Sequence, residues 1–111
     1  MNSEQLAEDI RLFCSTHANE AMAIKYSRYF KESLYDGYGI SAPVIHGKAR
    51  ELALTASITL DTVLKSAEEI IAHGRSEEIS IIMLLAKKLH KQFTARTFKE
   101  IEHWYSIGIN N

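Results

Sequence analysis

The stretch TLDTVLKSAEEIIAHG, residues 59–74, decides the fold class. Val63, Leu64, Ala67, Ile70 and Ile71 recur at the three- and four-residue spacing of a single helix face. Thr59 stands just ahead of that stripe, where a hydroxyl can accept an orphan backbone N–H, and Gly74 stands where a helix stops. Working outward finds the same period on both sides. Toward the C-terminus, Ser76 is placed to cap a fifth helix. Glu77 and Glu78 lie near its positive end, and Lys87, Lys88 and Lys91 in its latter half. Its expected stripe is Ile79, Ile82, Met83, Ala86, Leu89 and Phe93. A sixth helix is expected near Thr97, where Thr97-x-x-Glu100 reads as a capping box. It carries Phe98, Ile101, Trp104 and Tyr105 and ends at Gly108.

Toward the N-terminus, Pro43 suits the first turn of a third helix that buries Ile45, Ala49, Leu52, Ala53 and Ala56. Before it, Tyr35-Asp36-Gly37-Tyr38-Gly39-Ile40-Ser41-Ala42 breaks the pattern as a loop. A second helix, opened by Asn19 and Glu20, carries Met22, Tyr26, Tyr29, Phe30 and Ser33. The first follows Asn2 and Ser3 and carries Leu6, Ile10 and Phe13, with Leu12 beside them. The expected class is therefore all-α, with six helices of roughly 12–17 residues whose short loops favour antiparallel hairpins. Two such hairpins, helices 3 and 4 and then 5 and 6, leave a compact bundle and a short α-solenoid both open.

Composition agrees. The chain has 111 residues, enough for one domain, and 46% hydrophobic with 24% charged residues excludes disordered and fibrous classes. One proline and five glycines are too few for the turns of a β-sandwich. The single Cys14 excludes an intrachain disulfide and fits a reducing compartment, with a buried apolar role expected for it. The longest apolar run, Ile81 to Ala86, is far below the roughly 20 residues of a membrane span, and the acidic N-terminus does not read as a signal peptide. A cytoplasmic location is expected.

Candidate chemistry is sparse. Glu100-x-x-His103 has a di-iron spacing, but none of His17, His46, His73 or His90 has a glutamate three residues earlier. Glu69 and His73 read as a surface pair. There is no HExxH, Walker or GxGxxG motif. The formal net charge of −1 hides an alternation: residues 25–51 and 87–102 are basic, and residues 1–20 and 61–78 acidic. On helix 2, Lys25, Arg28 and Lys31 lie three apart with Tyr26 and Tyr29 interleaved, which suits a phosphate backbone with a ring beside it. Ser41 and Ala42 lead into helix 3, whose first amides can receive an anion. Solvated lysines over core tyrosines would account for the same residues.

Arg28-Tyr29-Phe30-Lys31 followed by Tyr38-Gly39-Ile40-x-x-Pro43 resembles the N-terminal region of the bacterial DNA alkylation repair family of the AlkC/AlkD type. Met83-Leu84-Leu85, Lys87-Lys88, Phe93-Thr94, Thr97-Phe98, Glu100-Ile101-Glu102, Trp104-Tyr105 and Ile109-Asn110-Asn111 extend the likeness over essentially the whole chain. The resemblance implies a HEAT-like α-solenoid whose basic concave face holds alkylated duplex DNA for excision of N3- and N7-alkylpurines, without cofactor. Tyr29 matches a tyrosine that faces DNA near the lesion, and Lys31 a basic position beside it. Gly39 and Pro43 match the loop that turns into helix 3 near the backbone. Val44, Ile45 and His46 stand where the family is basic, with Lys48 and Arg50 following. The expected DNA-binding set is Lys25, Arg28, Tyr29, Lys31, Ser41 and Lys48.

The family's catalytic aspartate, on a Trp-x-x-x-Asp element, corresponds to a point just beyond Asn110-Asn111. The 111 residues are accordingly expected to form a single helical-repeat domain, the N-terminal portion of a longer solenoid or a truncated member, with no catalytic residue of its own. Apolar Trp104, Tyr105, Ile107 and Ile109 suggest a homodimer through the last helix. The competing reading is a helical-repeat protein-interaction module with no enzymatic or DNA role.

Overall fold

The computed structural model describes residues 1–29 and 35–107. Among them every regular element is helical: α1 (Ser3–Thr16), α2 (Glu20–Tyr29), α3 (Ala42–Ala53), α4 (Leu60–His73), α5 (Ser76–Lys88) and α6 (Ala95–Ile107), with a 3-10 turn over His90–Gln92. Local chemistry sets most of the boundaries. Asn2 and Gln5 cap α1 reciprocally, each side chain accepting the other's backbone N–H at 2.8 and 2.9 Å. Thr59 accepts the Thr62 N–H at 3.3 Å, and the Gly74 N–H closes α4 on the Ile70 carbonyl at 2.6 Å.

Three ends depart from the expectation. Ser76 lies inside α5, not at its cap. Glu78 closes that end, its Oε1 accepting the Arg75 N–H at 2.7 Å. α5 stops at Lys88, so Leu89 and Phe93 do not extend its stripe. The chain tightens there into 3-10 bonds, Gln92 N–H to Leu89 O and Phe93 N–H to His90 O, before α6 begins. α6 begins two residues before Thr97, because Thr94 and Thr97 accept each other's backbone N–H. Glu100 turns outward to Arg96 at 3.4 Å. Glu69 likewise meets Arg11, at 3.9 Å.

The core comprises Leu6, Ile10 and Cys14 of α1, Ala49 and Leu52 of α3, Val63, Ala67, Ile70 and Ile71 of α4, Ile81, Ile82 and Leu85 of α5, and Trp104 of α6. Each fully buried aliphatic contributes about 1.5–3 kcal/mol. Several residues anticipated as apolar-face members are instead exposed: Leu12 at 64%, Phe98 at 62%, and Tyr105 and Ala56, the last lying beyond the end of α3. Ile79 and Met83 sit at the margin of α5, while Ile81 and Leu85 take the interior. The reason is that α5 is covered from two sides, by α3 and by α4.

Contacts follow an alternating order: α3 lies on α5, α4 on α6, α4 on α5, and α1 on α4 and α5. The tight hairpin is α4/α5, joined at Gly74 and Arg75. Among the described residues, α3 and α4, and α5 and α6, do not pack closely as the anticipated hairpins; residues 54–59 and the 3-10 turn lie between them. The longest extent is 39 Å, well beyond any single helix, which is about 21 Å for fourteen residues. Two partly buried polar contacts fix α1 within this arrangement. Ser66 Oγ donates to the Ser3 carbonyl at 2.6 Å, and Lys48 Nζ meets Asp9 Oδ2 at 2.9 Å. α2 buries no residue at all.

Candidate nucleic-acid interface

α2 starts on Asn19, whose side chain accepts the Met22 N–H at 3.1 Å while its own N–H donates to the Tyr38 carbonyl at 2.8 Å. The loop before α3 is thus bonded to the first turn of α2. Gly39 makes the approach possible. Its φ of +78° lies in the left-handed region, and a Cβ there would overlap the Asn19 carbonyl and the Ala23 backbone.

The other side of that loop is held by a residue far away in sequence. Glu77, in the first turn of α5 and 3% exposed, accepts the N–H groups of Tyr38, Gly39 and Ile40 at 2.9, 3.1 and 3.3 Å. The Tyr35 hydroxyl donates to the same carboxylate, and the Gly39 N–H also reaches that hydroxyl at 2.9 Å. A carboxylate surrounded by donors at the positive end of a helix replaces its lost hydration with fixed dipoles. Burial, and then the bond to Glu77, push the Tyr35 phenol up to about 12, so it stays a neutral donor. Arg75 seals the loop from outside: it pairs with Asp36 at 3.4 Å and lies 4.8 Å from the Tyr38 ring centroid. Burial, followed by the nearby Glu78, raises the Tyr38 phenol as well.

With the loop fixed, two clefts open on either side of Tyr26 and Ile40, which line both. The larger, about 530 Å³, is walled by Tyr26 and Tyr29 of α2 and by Tyr35, with Ser76, Glu77 and Ser80 of α5 behind. The Tyr26 and Tyr35 rings stand edge to face, 5.8 Å apart at 84°. The smaller, about 200 Å³, is bordered by His17, Asn19 and Ser41 at the start of α3. Ser41 makes no side-chain capping bond, and His17 Nδ1 is held by the Phe13 carbonyl at 2.9 Å.

The anticipated binding residues separate into three groups. Lys25, Arg28 and Tyr29 are exposed on α2, Tyr29 at 74%, and among the described residues neither Lys25 nor Arg28 makes an ion pair. Ser41 borders the smaller cleft, and Lys31 lies outside the described residues. Lys48 is elsewhere: it is 8% exposed, paired with Asp9, and 5.1 Å from the Phe13 ring centroid. Its charge is committed to holding α3 on α1, so it is not offered to a ligand. The tyrosine-walled cleft itself went unread in the sequence. Tyr35 looked like a loop residue and Glu77 like a helix-end charge, and only the repeated tyrosines at 26, 29 and 35 hinted at a shared surface.

A third concavity, about 320 Å³ and almost wholly apolar, lies between α5 and α6. Met83, Leu84, Phe93, Trp104 and Tyr105 line it, with Lys87 and His90 at its edge. Cys14 is sealed in the core, and burial, with Glu78 and Glu77 nearby, raises its thiol to about 12. Among the described residues no group of histidine, cysteine, aspartate or glutamate is arranged to hold a metal ion, and no helix is long and apolar enough to cross a membrane.

The class so defined is an all-helical protein with alternate helices layered on one another and a basic, tyrosine-bearing helix displayed beside a fixed glycine loop. The sequence model of the DNA alkylation repair enzyme family matches residues 14–111, and the chain belongs to that family. No curated protein and no solved structure matches it.

Proposed function

We propose that the chain binds alkylated duplex DNA through α2 and the α2–α3 loop, serving excision of N3- and N7-alkylpurines in the manner of AlkC/AlkD-type proteins in the cytoplasm. The observation that carries this reading is α2 itself. A helix of a DNA alkylation repair family member buries no side chain, yet keeps Lys25 and Arg28 unpaired among the described residues beside an exposed Tyr29. Cations grip the phosphate backbone without regard to sequence, while a ring beside them contacts sugar or base. Ser41 and the uncapped start of α3 supply a further anion position, with His17 alongside. The alternating contacts of α3 with α5 and α4 with α6 favour a HEAT-like stack.

The hydrolytic step is assigned to none of the described side chains. Glu77 is the carboxylate at the larger cleft, and its oxygens are occupied by Tyr35 and three amides. The test is duplex binding as a function of salt. Affinity is expected to fall linearly on logarithmic axes, and replacing Lys25 or Arg28 by alanine to lower the slope by about 0.9 for each phosphate no longer neutralised. Absence of binding at low salt overturns the proposal. A protein-interaction role rests on the apolar α5/α6 groove, flanked by exposed Tyr105. A salt-insensitive protein partner together with no DNA affinity would favour that second reading.

A further inference from the structure

The groove between α5 and α6 shares no lining residue with either cleft beside α2. Its volume of about 320 Å³ lies near the lower end of the sizes that hold small molecules. Trp104, at 2% exposure, is the most buried residue of its lining, and half-buried Met83, Leu84 and Ile101 extend the apolar wall. Phe93 adds a further side, its ring braced edge to face by Phe98 at 5.6 Å and 88°. The 3-10 turn holds Phe93 in place, since its N–H donates to the His90 carbonyl at 3.1 Å.

Two basic side chains border this apolar space and no acidic one does. Lys87 and His90 are tied together at the edge, His90 Nδ1 donating to the Lys87 carbonyl at 3.1 Å. Among the described residues Lys87 makes no ion pair; Glu100 of α6 is turned to Arg96, and neither it nor Glu102 lines the groove. A lysine stem lies readily along apolar surface while its ammonium stays at the wet rim. A cationic ligand would be repelled there, and a compact inorganic anion would leave the apolar walls in water. We propose that the α5/α6 groove is a binding site for a small amphipathic carboxylate, its hydrocarbon body against Trp104, Phe93 and Met83 and its head at Lys87 and His90. The occupant is a free small molecule, since an α-helix with its side chains is about 10–12 Å across and this space admits only part of one.

Trp104 is the single tryptophan of the chain, so its fluorescence reports on the groove. The test titrates the chain with octanoate, octanol and octyltrimethylammonium, each below the concentration at which it forms micelles. Octanoate is expected to shift the emission saturably and to bind about two- to fivefold more tightly than octanol, the range an exposed ion pair gives, with the cation weakest. Lys87→Gln should bring octanoate down to the affinity of octanol and leave octanol unchanged. Lys88→Gln removes the same charge from the last turn of α5 but lies outside the groove, so the preference should survive it. Both lysines are exposed, so both variants are expected to fold, and unchanged helicity checks this. No saturable shift with octanoate, equal affinity for the three probes, or the same loss from Lys88→Gln as from Lys87→Gln overturns the inference. Two other occupants would also overturn it, each with octanoate inert. Emission that moves with protein concentration puts a second copy in the groove, and emission that moves with phosphatidylglycerol vesicles puts a membrane surface there.

Discussion

α2 and α5 are both helices of ordinary length, ten and thirteen residues, and they are used in opposite ways. α5 is covered by α3 and α4 and buries Ile81, Ile82 and Leu85 completely; even two of its glutamates are inside. α2 fully buries no residue; it is held at its start through Asn19 and Gly39, with Met22, Ala23 and Tyr26 half-buried along one side. One helix is scaffold and the other is display. Amphipathic spacing does not by itself say which a helix will be. Tyr26 and Tyr29 have the period of core residues, yet Tyr29 stands in solvent.

The contrast breaks most visibly under truncation. Ile82→Ala in α5 is expected to cost about 2–5 kcal/mol, because its neighbours collapse only partly into the space left. Tyr29→Ala in α2 should change stability by less than about 0.5 kcal/mol while weakening duplex binding. Urea denaturation of both variants measures the difference, and comparable losses would remove the distinction between the two helices. Gly39→Ala comes next. Its positive φ alone costs about 1–3 kcal/mol in a residue bearing Cβ, and the overlap with Asn19 adds to it, so both stability and duplex affinity should fall.

A smaller effect sharpens the contrast between the lysines. Lys48→Met keeps most of the volume but strands Asp9, which is 35% exposed and can recover water. A drop of about 1–3 kcal/mol is expected, with the salt slope of duplex binding unchanged. Lys25→Ala should do the converse. The smallest effect is a titration. Tyr35 is held up to about 12 against an ordinary value of 10, so the neutral phenol is the form that folding favours. Its contribution is complete below pH 10 and is lost as pH rises from about 10 toward 12. Ultraviolet titration should find a late-ionising tyrosine fraction to which Tyr35 and Tyr38 both contribute, and Tyr35→Phe should reduce it.

Much of this was legible locally. Asn2, Thr59 and Gly74 act where their residue types predict, since each bonds within one turn of itself. Ser76 and Thr97 misled because glutamate or threonine a few residues away can cap equally well, and Glu78 and Thr94 took those tasks. Family membership over residues 14–111 agrees with the motifs around Tyr29 and Gly39. Glu77 and Lys48 were illegible for another reason. Their partners are distant in the chain, and an isolated glutamate or lysine in a helix pattern reads as a solvated charge. Only the packing of α5 and α1 turns those charges inward.

The reach of Glu77 also bears on the order in which the chain assembles. The amides of Tyr38, Gly39 and Ile40 find their acceptor 37 to 39 residues downstream. Until α5 is seated, the Tyr38 and Ile40 amides lack this acceptor, and the loop in front of α3 is held by its bonds to Asn19 and Tyr35 alone. The hydrogen exchange of the Tyr38 and Ile40 amides therefore reports the opening of α5. The surface offered to a ligand matures late, and its persistence is set by the stability of the interior beneath it.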